Sequence, residues 1–129
     1  MNPPGQGREP DSVRLKYCII KTMNEKIASS IVQKCKEYLS RYYGSRLKGV
    51  ILYGSLARGK AGSESDIDLL VLLSPPFDYF AELRQIVDLL YPIQLESEQL
   101  ISAKPALVSD YEVGSISLYR NARREGVAV

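Results

Sequence analysis

Apolar residues recur every four positions at Ile27, Ile31, Cys35 and Leu39, with Val32, Tyr38 and Tyr42 beside them. That spacing predicts an amphipathic helix of about five turns. Asn24 suits its N-cap, and Gly44 suits its C-terminal cap. The pattern then changes. Leu47 to Tyr53 (LKGVILY) is a β-rich run, read as a strand, that stops at Gly54-Ser55. Leu56 to Arg58 can begin a short helix, and Lys60 to Ser65 (KAGSES) is a small polar loop. Asp66 to Leu73 (DIDLLVLL) starts in alternation and becomes continuously apolar, as an interior strand does. Ser74-Pro75-Pro76 stops it. From Phe77 to Leu90 the spacing predicts a second amphipathic helix, with Phe80, Leu83, Val87 and Leu90 on one face, Ile86 adjacent, and Pro92 as its end. Ile93 to Ser97 (IQLES) reads as a third strand. Glu98 to Gly114 resists a periodic reading. Ser115 to Glu125 reads as a last, basic helix closed by Gly126. The order helix, strand, turn-helix, strand, helix, strand, helix predicts an α/β or α+β domain, a small sheet covered by helices.

A chain of 129 residues fits one domain. Residues 1–22 are expected to be a disordered leader, since three prolines and two glycines fall in the first ten positions. The domain is then 23–129, with Met23 an alternative start to Met1. A domain of this size buries roughly two thirds of its unfolded surface and needs no disulfide or structural metal. Cys35 falls on the apolar face of the first helix and reads as a small buried hydrophobe. Histidine is absent, which excludes a Ser-His-Asp triad, a His-based zinc site and a His base. A formal charge of +2 does not suggest a duplex-DNA binder, and no aromatic–basic motif suggests RNA. No secretory signal is visible, and no apolar run approaches the roughly 18 residues of a membrane span. The cytoplasm is therefore the expected setting.

Two short motifs carry chemistry. Gly54 at a strand end lets the backbone turn sharply and a phosphate come close. The helix start after it offers free N–H groups to an anion, and the Ser55 hydroxyl adds a donor. Arg58 and Lys60 offer positive charge, though both also read as ordinary solvated residues. In Asp66-Ile67-Asp68 the two carboxylates point to one side of a strand while Ile67 points to the other. Adjacent carboxylates repel unless a cation lies between them, and oxygen ligands select Mg²⁺ or Mn²⁺. Ser65 sits beside the pair, either supporting the Asp66 loop or adding a nucleotide contact. A phosphate cradle facing a carboxylate pair suits attack on a nucleotide's α-phosphate with pyrophosphate leaving.

The spacing is Gly-Ser, then the ten residues Leu56 to Ser65, then Asp-x-Asp. It resembles the signature of the DNA polymerase β-like nucleotidyltransferase superfamily. The run LYGSLARGKAGSESDIDLLVLL and the closing NARREGVAV resemble the minimal nucleotidyltransferases of bacteria and archaea. The resemblance implies a small mixed sheet with helices packed on it, ATP as substrate, and Mg²⁺ or Mn²⁺ as cofactor. Many such proteins are antitoxins encoded beside HEPN-domain ribonucleases. Those of the MntA type attach AMP to a tyrosine of the toxin. The resemblance therefore implies a HEPN toxin as substrate and partner. It also implies a third carboxylate on a neighbouring strand, activating the attacking hydroxyl. Within Ile93-Gln94-Leu95-Glu96, Gln94 and Glu96 alternate onto one face, so Glu96 is the candidate, and Gln94 in its place would leave the base missing. Two other functions compete. One is a module that neutralises its partner by binding, with weak or no catalysis. The other is a small-molecule nucleotidyltransferase, for which the chain is short of an acceptor domain. Arg120, Arg123 and Arg124 read as a solvated face near a helix end, where positive charge is favoured.

Replacing both Asp66→Asn and Asp68→Asn is expected to abolish nucleotidyl transfer while leaving the circular-dichroism spectrum unchanged. With two crowded charges removed, the metal-free melting temperature should hold or rise. Transfer at the wild-type rate would show that the site is elsewhere.

Overall fold

The structure, a computed structural model, describes residues 29–54, 57 and 66–129. The leader, Met23, Asn24, Ile27, the short helix at Leu56 to Arg58 and the Lys60 to Ser65 loop lie outside the described residues, apart from Ala57.

The first helix, α1, covers described residues 29–43 and closes in a single 3-10 turn, Gly44–Arg46. Ile31, Val32, Cys35 and Leu39 are buried as their spacing requires. At its end Tyr43 continues the four-residue spacing inward, whereas Tyr42, placed beside the apolar face from the sequence, is exposed. The Tyr43 hydroxyl donates to Glu82 Oε1 at 3.0 Å, which gives it a reason to be inside. Strand β1 (Leu47–Tyr53) leads to β2 (Ile67–Leu73). Helix α2 (Tyr79–Glu96) follows, with Asp78 as N-cap, its Oδ1 accepting from Ala81 N at 3.3 Å. Strand β3 (Ile101–Leu107), helices α3 (Val108–Val113) and α4 (Ser117–Glu125), and a two-residue β4 (Val127–Ala128) complete the described chain.

The sheet has the order β3-β2-β1-β4. The β1–β2 and β1–β4 pairs are antiparallel, and β2–β3 is parallel. Fold class and mixed sheet are thus as expected. Strand β2 is interior and apolar on both faces, which explains its unbroken apolar run. On one face Ile67, Leu69, Val71 and Leu73 join Val50, the buried side of α1, and Ile86, Leu90 and Ile93 of α2. On the other, Leu70 and Leu72 join Ile51, Ala106 and Ala122, under α3 and α4. Lys34 meets Glu96 and Tyr43 meets Glu82, so α1 and α2 run antiparallel over their shared face.

Two expectations are corrected here. Pro92 does not end the second helix, and Ile93 to Ser97 is no strand: α2 continues to Glu96 with Pro92 exposed inside it. The parallel pairing supplies the reason. A strand parallel to β2 needs a crossover that returns the chain along the whole of β2, about 23 Å for 7 residues. A helix stopping at Leu90 would fall short, whereas 18 residues span about 27 Å. That length outweighs the hydrogen bond Pro92 cannot donate. The second correction concerns which side of α2 packs. Ile86, Leu90 and Ile93 face the core, while Phe80 and Val87 face outward. The true third strand, β3, contains Pro105, fully buried in a strand that among the described residues pairs with β2 alone. An edge strand tolerates proline because one side of its backbone needs no partner.

Ile86→Ala removes a fully buried side chain between helix and sheet. It should cost about 2–5 kcal/mol of unfolding free energy in a urea titration. A loss under about 1 kcal/mol would mean that the inner face of α2 has been misassigned.

Candidate active site

Strand β2 begins where the apolar run gives way to Asp68 and Asp66. Asp66 lies just before the strand and is exposed, and Asp68 is half-buried. Between them Ile67 is fully buried on the face that packs against α1 and α2, and its N–H donates to Leu100 O at 2.8 Å. That anchoring sets which way the carboxylates turn: alternation places both on the opposite face.

Antiparallel pairing sets Tyr53, the last residue of β1, opposite Asp68. Gly54 follows with φ +80°, a left-handed conformation that favours glycine. The space around it makes the requirement stricter. A Cβ built on Gly54 would lie 2.3 Å from Asp68 Oδ2 and 3.3 Å from its Cγ. The carboxylate rests on bare backbone where any other residue would carry a side chain. The turn and the acid are therefore one unit, assembled across two strands.

The Tyr53 hydroxyl is held above its ordinary range, pushed up to about 12 first by burial and then by the negative charge of Asp68. It stays protonated at neutral pH and is no base there. On the other side of Asp68 the register brings Ser102 of β3, and Lys104 follows two residues along on the same face. Tyr53, Ser102 and Lys104 were not singled out from the sequence. For the last two the obstacle was Pro105, which hid β3 inside the segment without a clear period. For Tyr53 the signal was present, since a residue preceding Gly54 on a strand has to border the site.

Glu96, expected beside Asp68 as a third carboxylate, ends α2 and pairs with Lys34 of α1 at 3.0 Å. Hydrogen bonding to Glu96, reinforced by its charge, raises the Lys34 ammonium pKa. The strand that placed Glu96 in the site does not exist. Gln94 is committed elsewhere too: its Oε1 accepts from Ile101 N at 2.7 Å and its Nε2 donates to Gln99 O at 3.0 Å. It ties the end of α2 to the start of β3. Among the described residues no group of three or more acidic or cysteine side chains is placed to hold a metal ion. Ser55, Arg58, Lys60 and Ser65 lie outside the described residues.

Away from the site, Cys35 is fully buried in the core, and burial pushes its thiol up to about 11, leaving an unreactive side chain. Arg120 donates to Gly114 O at 2.8 Å and Arg123 to Glu112 O at 2.6 Å. Two of the three arginines of α4 thus satisfy carbonyls at the end of α3, as cations at a helix C-terminus do.

The nucleotidyltransferase domain family matches residues 32–127. The chain belongs to the nucleotidyltransferase family. A Methanocaldococcus jannaschii protein, named for an inferred protein adenylyltransferase activity, is 34% identical over 108 residues, 81% of this chain and 96% of its own length. A second protein of that organism, similarly named, is 40% identical over 50 residues, 39% of this chain and 34% of its own length. A Sulfolobus solfataricus protein, whose crystal structure is described as that of an inferred nucleotidyltransferase, matches with a TM-score of 0.47 at 17% identity, covering 96% of this chain and 90% of that one.

A nucleotidyltransferase generally uses a nucleoside triphosphate and a divalent metal. The residues present fit both. Two carboxylates stand on one side of a strand start, and Gly54, without a side chain, lets the turn after β1 come up against one of them. No helix among the described residues is long and apolar enough to cross a membrane.

Gly54→Ala should strain the backbone and displace the Asp68 carboxylate together. Transfer should fall by about two orders of magnitude, with a melting-temperature loss of only a few degrees. Unchanged kinetics would dissociate the Gly54 turn from the chemistry.

Proposed function

We propose that this nucleotidyltransferase transfers AMP from ATP to a hydroxyl of a protein acceptor, a tyrosine of a HEPN-type toxin, and so acts as that toxin's antitoxin in the cytoplasm. The observation that carries the reading is the close approach of the Asp68 carboxylate to the Gly54 backbone, which joins the turn after β1 to the acidic pair at the start of β2. Asp66 and Asp68 are the groups that would hold Mg²⁺, and the ion would supply charge neutralisation at the phosphates. Gly54 and Ser55 would receive the leaving phosphates, and the sequence offers Arg58, Lys60 and Ser65 as further nucleotide contacts. The acceptor oxygen forms its bond to the α-phosphorus as the bond to the bridging oxygen breaks and pyrophosphate departs. Glu96 has no place in this scheme, because it is bound to Lys34 at the end of α2.

The acceptor must also lose a proton. The residues in register with Asp68 are Tyr53, which remains protonated, and Ser102, neither of them a base at neutral pH. A phenol, with an ordinary pKa near 10, needs less help than an aliphatic hydroxyl. This favours tyrosine as the acceptor. The similarity to a protein named for protein adenylyltransferase activity favours a protein substrate. The same Ser102 favours a second reading, in which transfer is slow and neutralisation comes mainly from contact.

Intact mass spectrometry of the neighbouring gene's product, after incubation with the chain, ATP and Mg²⁺, tests the proposal. Gains of about 329 Da per site, one AMP less water, are expected and should map to tyrosine. A stable complex with no gain in mass would favour the contact reading. Gain on a small molecule and none on protein would overturn both.

A further inference from the structure

Helix α2 has two apolar faces. The inner one, Ile86, Leu90 and Ile93, belongs to the core. The outer one runs along Phe80, Val87, Tyr91 and Leu95, which are 73%, 56%, 59% and 69% exposed. At 100° per residue these four side chains fall within about 80° of one another, a stripe about 22 Å long. Solvated helix faces are normally charged, and a contiguous apolar stripe of this kind marks an interaction surface. Near its start Phe80, Leu83, Arg84 and Val87 line a shallow groove. Their positions i, i+3, i+4 and i+7 are those of a hole that receives one side chain of an opposing helix.

The charges on the stripe identify the opposing helix. Arg84 and Asp88 are both exposed, lie on the same flank one turn apart, and bracket the stripe's midpoint. Neither makes an ion pair among the described residues. A twofold axis through the middle of α2, perpendicular to it, brings a second α2 antiparallel and sets like flanks together. Arg84 then meets the partner's Asp88, and Asp88 meets the partner's Arg84. The same operation, with its axis level with Ile86, brings the partner's Tyr91 level with Ala81, within the span of the groove, and the partner's Val87 to about 3 Å along the helix from Val87. The stripe is complementary to itself in both shape and charge.

We propose that a second copy of this chain docks on the outer face of α2, forming an antiparallel homodimer. The surface lies on the outer side of the helical layer, whereas Asp66 and Asp68 lie on the opposite face of the sheet, so each copy keeps its own site. A single helix face buries less than the about 1,200 Å² of standard interfaces, so the dimer is one that dissociates on dilution, with Kd on the order of 1–100 µM.

Sedimentation equilibrium of the full chain between about 1 and 200 µM should show a monomer–dimer transition. Val87→Glu should leave a monomer with an unchanged circular-dichroism spectrum. Arg84→Glu and Asp88→Arg each set like charges together across the axis and should weaken Kd about tenfold. The double variant Arg84→Glu/Asp88→Arg reverses both charges and should restore dimerisation. A monomer throughout the wild-type range would overturn the proposal, including by residues 1–28 covering the stripe instead. A dimer undisturbed by Val87→Glu, or a double variant no better than the singles, would overturn it as well.

Discussion

Strand β2 is covered by helices on both faces and flanked by strands on both edges, and the rest of the domain follows from the need to enclose it. Its residues Leu69 to Leu73 alternate between two hydrophobic clusters, so neither layer of helices can be removed without exposing one of them. Its edges require partners because its backbone groups have no access to water. One partner, β1, is reached directly and runs antiparallel. The other, β3, is parallel and is reached only through a helix long enough to travel back the length of the strand. The extent of α2, its internal proline and the position of Glu96 outside the site are consequences of that return.

The candidate site forms where this enclosure ends. Past Ile67 the chain leaves the core, and the face that holds Leu70 and Leu72 further along offers Asp68 and Asp66 at its edge. The tight approach of Asp68 to Gly54 locks the acid against the turn that ends β1. Rigid strands thus hold both halves of the site, and register keeps them together. The same register puts Tyr53 and Ser102 at either side of Asp68. Under the proposed function, an acceptor that releases its proton readily suits such a site.

The outer face of α2 follows from the same crossover. A helix fixed at both ends by β2 and β3 has its inward rotation set by Ile86, Leu90 and Ile93. Phe80, Val87, Tyr91 and Leu95 are turned away as a result, though they are as apolar as the residues that pack. Burying them in a symmetric pair would leave the nucleotide site clear on the far side of the sheet. Under the two proposals, transfer at the start of β2 and self-association on its crossover helix would be separable properties.

Much of this domain was legible from residue order. The four-residue spacing of Ile31, Cys35 and Leu39, the run of β1 and the apolar stretch of β2 report local periods, and each element formed where its period was clear. The family was legible too, from Gly54-Ser55 and Asp66-x-Asp68, because the motif restricts residue type at fixed spacing within a short stretch of chain. Tertiary structure decided the remainder. Pro92 and Pro105 signal breaks by their local chemistry, yet one lies within a helix and the other within an edge strand. Local signals cannot register the distance a crossover must cover or which strand edge goes unpaired. Nor can they choose between two apolar faces of one helix, or bring Ser102 beside Asp68. Those outcomes depend on which segments share a sheet, and pairing between distant residues leaves no period in the chain.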